Sequence, residues 1–175
     1  DLDTAMLGEG RRIYTNARNT ASRLEKFNGL RAEPLYHPPR LAGRLAAGPA
    51  GDYILSVGRL ETVKRHDLAL RALALARGPR RLVIVGEGTQ EPALRRLADE
   101  LSVADRVTFE GAATDERLLA LYAGALGVVY APFDEDYGYV TLEAFLARKP
   151  VVTVRDSGGT LEFVEDGVNG FVCDP

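Results

Sequence analysis

Two short segments of the chain concentrate residue types that can bind an anion and hydroxyl groups. The first contains Arg59 and Lys64, five positions apart, and the second contains Glu135 and Glu143, eight positions apart. A guanidinium binds a phosphate through two parallel hydrogen bonds, whereas an ammonium acts as a point charge. Carboxylates accept hydrogen bonds from hydroxyl groups. The two segments therefore predict a site for a ligand that carries both phosphate and hydroxyl groups.

Gly138 marks the expected start of a helix in the second segment. If the helix begins there, the free N–H groups of Tyr139, Val140 and Thr141 point outward and favour an anion such as a diphosphate. Glu143 then lies roughly 7 Å further along the helix axis. Because helical side chains lean toward the N-terminus, its carboxylate can reach back beside the phosphates and accept two hydrogen bonds from the diol of a ribose.

Glu135 precedes the helix and is expected on the opposite side of the phosphates, beside a second polyol. A ribose, a diphosphate and a second polyol in one line describe a nucleotide sugar. When the glycosidic bond of such a ligand breaks, the departing diphosphate gains negative charge. Arg59 and Lys64 can stabilise that charge without a metal ion.

The elements that must position these residues alternate between strands and helices. The predicted strands cover residues 53–57, 81–85, 107–109, 126–131, 151–154 and 170–172, and the predicted helices cover residues 66–77, 91–101, 115–124, 139–148 and 160–164. Their strand cores are continuous apolar runs, which are typical of parallel strands buried on both faces. The sequence thus predicts an α/β fold with a Rossmann-like, doubly wound parallel sheet of about six strands, in the order 3-2-1-4-5-6. The ligand crevice of that fold lies at the carboxyl ends of strands 1 and 4, where the two polar segments begin.

Composition excludes several other classes of protein. The chain has 175 residues, 46% of them hydrophobic, and a net charge of −3, so neither a nucleic-acid partner nor an anionic membrane surface is expected. The single cysteine, Cys173, rules out an internal disulfide framework and a cysteine-cluster zinc site. We expect a reduced, cytoplasmic protein. Membrane contact, such as peripheral binding at the inner membrane surface, is expected only through segments outside this chain.

Four spaced motifs carry a family resemblance. They are Gly58-Arg59…Lys64, Glu135-x7-Glu143, Lys149-Pro150-Val151-Val152 and Ser157-Gly158-Gly159…Glu162. Over about residues 53–175 they resemble the retaining glycosyltransferases of the GT-B fold, family 4. The resemblance implies the C-terminal, donor-binding half of an enzyme that moves a hexose-type sugar from a UDP-sugar or GDP-sugar to an acceptor. It implies retention of the anomeric configuration, no metal ion and no other cofactor.

The resemblance also implies roles for individual residues. Arg59 and Lys64 would bind the diphosphate and Glu135 the donor sugar, and these three are the implied catalytic residues. Glu143 would bind the ribose. The other implied substrate-binding residues are Gly58, Ala112, Ala113, Asp136, Tyr137, Gly138, Tyr139, Val140 and Thr141. Among these, the main-chain N–H groups of residues 136–140 would hold the sugar and phosphates, and the loop at Ala112 and Ala113 would contact the base.

The same resemblance divides the chain into three parts. Residues 1–35, with a predicted strand at 12–15 and helix at 20–27, resemble the last strand–helix unit of an N-terminal acceptor-binding domain. Residues 36–52, rich in Pro and Gly, are predicted to be a linker to the donor domain at residues 53–175, which lacks its terminal helix. The chain is therefore expected to be an inactive fragment whose acceptor, a glycan, lipid or small molecule, binds through the missing domain.

Some residues allow other interpretations. Asp134 and Asp136 match the Asp-x-Asp metal signature of other glycosyltransferases, although a solvated acidic loop is favoured here. The Gly-x-Gly sequence at residues 86–88 could begin a dinucleotide fingerprint with Glu110 as the ribose acid. A tight turn is favoured, because the third glycine position holds Glu91 and the motif follows the second strand. An NAD(P)-binding oxidoreductase domain and a non-catalytic nucleotide-binding module remain the alternatives.

Three further residues are assigned no chemistry. His66 is expected to be a polar residue in the first turn of a helix, and His37 is expected in the linker. Neither histidine has a partner that the sequence reveals. Cys173 is expected to be a small core residue near the end of the last strand.

Overall fold

The N-terminal segment contains two helices and a two-stranded parallel sheet in the computed structural model, which describes residues 2–175. These elements are α1 (Leu2–Gly8), β1 (Tyr14–Thr15), α2 (Arg18–Asn28) and β2 (Glu33–Pro34). α2 ends where the sequence predicts, because Gly29 adopts a left-handed conformation with φ of 68°. It begins two residues earlier than predicted, because the N–H groups of Arg18 and Asn19 donate hydrogen bonds to the Glu162 carboxylate.

The rest of the chain forms a six-stranded parallel sheet. Its strands are β3 (Tyr53–Val57), β4 (Arg81–Val85), β5 (Val107–Gly111), β6 (Gly127–Val129), β7 (Val151–Val154) and β8 (Gly170–Cys173). Their order is β5-β4-β3-β6-β7-β8, and every neighbouring pair is parallel. The predicted fold class and strand order are confirmed. β3 and β6 lie side by side, so the strand order reverses between them.

Helices and short 3-10 turns connect the strands of this sheet. The helices are α3 (His66–Leu75), α4 (Glu91–Glu100), α5 (Asp115–Gly124) and α6 (Tyr139–Leu146), and the 3-10 turns are Thr62–Lys64, Ala104–Arg106 and Gly159–Glu162. α6 ends two residues earlier than predicted, because Arg148 adopts a left-handed φ of 56° and the Lys149 N–H donates to the Ala144 carbonyl at 2.8 Å. Within residues 2–175, no helix combines the length and the apolar character needed to cross a membrane.

Both faces of the sheet are covered by apolar side chains. Leu55 and Val83 belong to a cluster that includes Tyr122 of α5. Leu82 and Ile84 belong to a second cluster with side chains of α3 and α4. Because neighbouring residues of a strand point to opposite faces, the two clusters lie on opposite sides of the sheet. This arrangement explains why the strand cores read as continuous apolar runs.

Residues 36–52 contain no regular helix or strand, but they pack closely against the six-stranded sheet. Leu41 is only 2% exposed. The Arg40 guanidinium donates two hydrogen bonds, at 2.6 and 2.7 Å, to the Asp115 carboxylate at the start of α5. Arg44 donates to Glu116 at 2.9 Å. This stretch is fastened along its length, and the domain boundaries drawn at its two ends remain a prediction.

Cys173 was expected in the core, and this expectation is wrong. The residue lies at the end of β8 with its side chain exposed, as does Phe171 on the same strand. β8 is the edge strand of the sheet. Alternate residues of a strand share a face, and the side chains of both residues reach solvent on that face of the edge strand.

The turn after β4 lies against the loop after β3. A Cβ added to Gly86 would stand 2.0 Å from the Gly58 carbonyl oxygen, and one added to Gly88 would stand 2.4 Å from that of Leu60. The Leu60 N–H donates to the Glu87 carbonyl at 2.9 Å. The two glycines therefore permit a close backbone approach between neighbouring loops, as the tight-turn interpretation expects.

Substitution of Gly86 should be far more costly than substitution of a glycine in open space. Both Gly86 and Gly78 have positive φ, 133° and 85°, but nothing lies within 4 Å of a Cβ added to Gly78. Gly78→Ala should lower the free energy of unfolding by about 1 kcal/mol through backbone strain alone. Gly86→Ala should lower it by about 3 kcal/mol or more, because the loop after β3 must move. Urea unfolding followed by circular dichroism measures both values, and equal losses would exclude the packing explanation.

Candidate functional site

The two polar segments meet at the carboxyl edge of β3 and β6. Lys64 ends the 3-10 turn after β3, and its ammonium forms an ion pair with the Glu135 carboxylate. The two side chains are only 15% and 21% exposed. The ring of Tyr130, which follows β6, has its centroid 5.9 Å from the Lys64 ammonium. Two of the three predicted catalytic residues are thus in direct contact.

Arg59 lies in the same loop as Lys64, with an exposed side chain. The backbone around it is anchored, because the Gly58 N–H donates to the Val85 carbonyl at 3.0 Å and His66 Nε2 lies 3.3 Å from the Arg59 carbonyl. Within the described chain the Arg59 guanidinium has no hydrogen bond or ion pair. The backbone of Arg59 is held in place, while its guanidinium is free to turn toward an anionic ligand.

A row of unpaired N–H groups marks the start of α6. The N–H groups of residues 136–140 have no acceptor in the part of the chain that the structure describes. Gly138, with φ of 82°, turns the chain into the helix. Unpaired N–H groups at the positive end of a helix dipole attract anions. The predicted positions Asp136, Tyr137, Tyr139 and Val140 all contribute to this row.

Thr141 does not contribute as the sequence predicts. Its N–H donates to the Gly138 carbonyl at 3.0 Å, which tightens the first turn of α6, and its side chain is fully buried. The hydroxyls of Thr141, Ser157 and Thr160 are buried without a hydrogen-bond partner among residues 2–175. Thr160 lies directly against the helix start, since its hydroxyl would stand 2.7 Å from a Cβ on Gly138. The free N–H groups therefore lie one position toward the N-terminus, before Thr141.

Glu143 lies one turn further along α6 and is half-buried. The Tyr122 hydroxyl of α5 donates to its Oε2 atom at 2.7 Å. Burial raises the pKa of Glu143, while the hydrogen bond from Tyr122 and the charge of Arg40 act in the opposite direction and leave the pKa above its usual value. Within the described chain no group donates to Oε1, so this oxygen is available to a ligand. Sequence reasoning missed Tyr122, because the spacing of residues on α6 carries no information about a side chain of α5.

Ala112 and Ala113 lie in the loop between β5 and α5. Ala112 is exposed, whereas Ala113 packs against the cluster that contains Tyr122. Since all strands of the sheet are parallel, this loop leaves from the same edge as the loops after β3 and β6. The loop that is predicted to contact the base therefore leaves the same edge of the sheet as Lys64 and Glu135.

Arg65 is a second residue that sequence reasoning missed. Its guanidinium donates to the carbonyls of Ala131 and Pro132, each at 2.8 Å, and to both oxygens of Asp156, at 2.6 and 2.9 Å. These bonds fasten the loop after β3 to the loops after β6 and β7. The available signal was a second basic residue beside Lys64, but adjacent residues point in different directions and only the fold decides which one faces the ligand.

Glu162 caps α2 from a distant part of the chain. Its carboxylate accepts hydrogen bonds from the N–H groups of Asn19 at 2.7 Å and Arg18 at 3.0 Å, and from the Tyr36 hydroxyl at 2.7 Å. A carboxylate at a helix start satisfies unpaired N–H groups and interacts favourably with the helix dipole. This capping explains why α2 begins earlier than predicted, although Ala17 offers no side-chain cap.

Asn19 connects α2 to the candidate site. Its side-chain amide donates to the Glu135 carbonyl at 2.9 Å and to the Asp134 carboxylate at 3.0 Å. Arg23 forms ion pairs with Asp134 and Asp136. The two aspartates of the Asp-x-Asp sequence are therefore engaged by α2, and no cluster of three or more potential metal ligands exists among residues 2–175.

Both histidines have partners that the sequence does not reveal. His66 is buried, with Nδ1 at 2.9 Å from the Ser56 hydroxyl, and burial lowers its pKa. The His37 ring stacks on Tyr137 at 5.0 Å between centroids and contacts the Tyr139 hydroxyl. His37 thereby fastens the stretch of residues 36–52 to the start of α6.

Comparison with known protein families decides the class of this chain. Residues 44–175 match the family described as "Glycosyl transferases group 1". The chain belongs to this family. The match confirms the resemblance carried by the four motifs, and it covers the whole of the six-stranded sheet and all the predicted site residues.

Curated relatives of this glycosyltransferase chain include two enzymes whose names give different activities. A D-inositol 3-phosphate glycosyltransferase of Mycolicibacterium smegmatis is 39% identical over 122 residues, which are 67% of this chain and 28% of that protein. The alpha-1,3/1,6-mannosyltransferase ALG2 of Homo sapiens is 33% identical over 138 residues, 70% of this chain and 33% of that protein. The chain thus spans about a third of the length of the curated relatives it matches.

Solved structures share the fold of this chain. Alr3699/HepE of Anabaena, determined in complex with UDP and glucose, has a TM-score of 0.85 at 21% identity, covering 99% of this chain and 52% of that one. The lipopolysaccharide outer core galactosyltransferase WaaB in its apo form has a TM-score of 0.79 at 19% identity, covering 94% and 48%. Both support the GT-B Rossmann-like architecture.

The Glu162 cap should give the stability of the protein a pH dependence. Burial raises the pKa of Glu162, but hydrogen bonds from Tyr36, Asn19 and Arg18 outweigh it and hold the pKa below the usual 4.5. A lowered folded-state pKa contributes stability above the unfolded value, and this contribution is lost as the pH falls through the folded value. Glu162→Gln should therefore lower the free energy of unfolding by about 1–2 kcal/mol at pH 7.

The difference in the free energy of unfolding between wild type and Glu162→Gln should shrink below about pH 4.5, the usual pKa of a glutamate carboxyl group. Chemical denaturation at a series of pH values measures it. Glu165→Gln is the matched control, because the Glu165 side chain is exposed and makes no hydrogen bond or ion pair within the described chain. A loss in Glu162→Gln that stays constant down to pH 3 would contradict the assignment.

Proposed function

We propose that this chain binds the nucleotide-sugar donor of a retaining glycosyltransferase, which moves a hexose-type sugar from a UDP-sugar or GDP-sugar to an acceptor. The observation that carries the proposal is the row of unpaired N–H groups at residues 136–140, beside the Lys64–Glu135 ion pair. Membership of the glycosyl transferases group 1 family supports sugar transfer as the reaction. The structure of Alr3699/HepE with UDP and glucose supports the choice of donor class.

The proposed diphosphate position is the start of α6, where the N–H groups can donate to its oxygens. Lys64 would exchange the Glu135 carboxylate for a phosphate oxygen, and Arg59, in the same loop as Lys64, would turn its guanidinium toward the phosphates. This exchange releases Glu135 to accept hydrogen bonds from hydroxyls of the donor sugar. Glu143, further along α6, would accept hydrogen bonds from the ribose diol.

In the proposed chemistry the bond from the sugar to the diphosphate breaks, and an acceptor hydroxyl bonds to the sugar on the same face, which retains the anomeric configuration. The proton of that hydroxyl passes to the departing diphosphate. Negative charge on the diphosphate grows as the glycosidic bond breaks. Arg59, Lys64 and the helix N–H groups are placed to stabilise that charge, and preorganised donors of this kind lower the barrier. Because these groups supply the positive charge, the proposed mechanism needs no metal ion.

The proposed scope of the chain is donor binding alone. It spans about a third of the length of its curated relatives. We propose that the acceptor, a glycan, a lipid or a small molecule, binds through parts of the protein outside these residues. The chain alone is then expected to bind the donor without transferring the sugar. A cytoplasmic location, without a nucleic-acid partner, is part of the same proposal.

Replacement of Glu143 should weaken nucleotide binding. Glu143→Ala removes two hydrogen bonds to a charged acceptor, so the affinity for UDP or GDP should fall about 10-fold to 100-fold in calorimetric titration. Glu135→Ala is the matched comparison. It should not lower nucleotide affinity, because it frees Lys64 for the phosphates, and it should reduce use of the donor sugar in the full-length protein. Equal nucleotide affinity for wild type and Glu143→Ala would exclude the ribose assignment.

Replacement of both cations should weaken diphosphate binding more strongly. Arg59→Ala/Lys64→Ala should lower the affinity for UDP or GDP about 100-fold or more, because two charge-assisted contacts are lost. Arg77→Ala/Arg80→Ala is the matched control, since it removes the same charge from two exposed side chains that make no hydrogen bond or ion pair in the described chain. Calorimetry with UDP, GDP, ADP and NAD measures all variants.

The pattern of ligands in this titration separates the alternatives. Binding of UDP or GDP that the control variant retains supports the donor site and identifies the base. Binding of NAD alone would favour an oxidoreductase domain. Nucleotide binding without sugar transfer in the full-length protein would favour a non-catalytic module.

A further inference from the structure

Tyr122 occupies an unusual position for a core aromatic residue. It is 0% exposed and packs among apolar residues of α5, α6 and the sheet. Its hydroxyl reaches out of this cluster and donates to Glu143 Oε2 at 2.7 Å. A phenol holds one carboxylate oxygen from one direction, and the surrounding core fixes the ring that carries it.

The hydrogen bond from Tyr122 occupies one oxygen of the Glu143 carboxylate and leaves the other oxygen free to accept a hydrogen bond. Within the described chain Glu143 Oε1 receives no hydrogen bond, and Glu143 is half-buried rather than enclosed. A glutamate side chain without a fixed partner samples several rotamers. Because Tyr122 fixes Oε2, Oε1 is held in one direction before any ligand binds, and this preorganisation reduces the entropy lost on binding.

The charged and titratable groups around Glu143 come from three elements. Tyr122 belongs to α5, Arg40 belongs to the stretch of residues 36–52, and Tyr130 follows β6. Burial raises the pKa of Glu143, and the Tyr122 hydrogen bond and the Arg40 charge counteract it. Loss of the hydroxyl should therefore raise the pKa of Glu143 further, so that the carboxyl becomes protonated at a higher pH and loses acceptor capacity.

We propose that Tyr122 is a positioning residue for ribose recognition: its hydroxyl holds Glu143 so that the free carboxylate oxygen accepts a hydrogen bond from a ribose hydroxyl. This inference rests on the proposed function, in which Glu143 binds the ribose of the donor. The inference goes beyond the proposed function because it assigns selectivity for ribose over deoxyribose to Tyr122, which does not touch the ligand.

The test compares the affinities of the 175-residue chain for UDP and for 2′-deoxy-UDP, with GDP and 2′-deoxy-GDP if guanine is the preferred base. Wild type should prefer the ribonucleotide about 10-fold, because a hydroxyl–carboxylate hydrogen bond is lost in the deoxynucleotide. Tyr122→Phe should bring this ratio close to one. Any residual preference should be lost at a higher pH than in wild type as the pH falls, because the pKa of Glu143 is raised further. Both nucleotides carry the same diphosphate, so ionisation of the phosphate cancels in the ratio.

Tyr53→Phe is the matched control for the loss of a hydroxyl. The Tyr53 hydroxyl donates to the Leu121 carbonyl at 2.8 Å, next to Tyr122, without contacting Glu143. This variant should retain the preference and its pH profile. Tyr122→Met, which fills a similar apolar space with a flexible side chain, serves as the second variant if Tyr122→Phe does not fold.

The outcomes separate the two proposals. If wild type binds neither nucleotide, the donor-binding proposal fails and this inference fails with it. If wild type prefers the ribonucleotide and Tyr122→Phe keeps both the preference and its pH profile, the donor site stands and the role of Tyr122 is overturned. Loss of the preference in Tyr122→Phe but not in Tyr53→Phe supports it.

Discussion

The pairing of β3 with β6 is the constraint on which the candidate site depends. The strand order reverses between these two strands, and in folds of this kind ligands bind at the carboxyl ends of the strands at that point. Lys64 and Glu135, 71 positions apart in the sequence, meet there as an ion pair. The start of α6 lies at the same edge of the sheet because the loop after β6 leads directly into that helix.

The charged groups at this edge of the sheet suit a site that must remain folded without a ligand and still accept an anion. Lys64 and Glu135 are partly buried, and each neutralises the other in the absence of a ligand. The N–H groups of residues 136–140 carry no such partner within the described chain. An entering diphosphate would satisfy these N–H groups and offer Lys64 an alternative anion. The proposed donor would therefore replace Glu135 as the partner of Lys64, and its sugar hydroxyls would donate to the released Glu135 carboxylate.

The N-terminal segment takes part in building this site. Asn19 donates to the Glu135 carbonyl, Arg23 pairs with Asp134 and Asp136, and Glu162 caps the helix that carries both residues. His37 stacks on Tyr137 in the loop before α6. The orientation of the Glu135 loop thus depends on residues more than 90 positions earlier in the chain. The division into an acceptor remnant, a linker and a donor domain remains a prediction, and the contacts across it are extensive.

The sequence by itself determined the strand order and the edge of the sheet at which Lys64 and Glu135 meet. Continuous apolar runs and helix-start signals made this possible, because they are local patterns with a fixed geometric consequence. It placed Lys64, Glu135 and the start of α6 on one edge for that reason. The tertiary structure decided which N–H groups are free, excluding that of Thr141, and it brought Tyr122 to Glu143, Arg65 to Asp156 and Asn19 to Glu135. It also left Cys173 exposed on an edge strand. These contacts join side chains of separate elements, and they depend on packing distances and rotamers that no periodicity along the chain encodes.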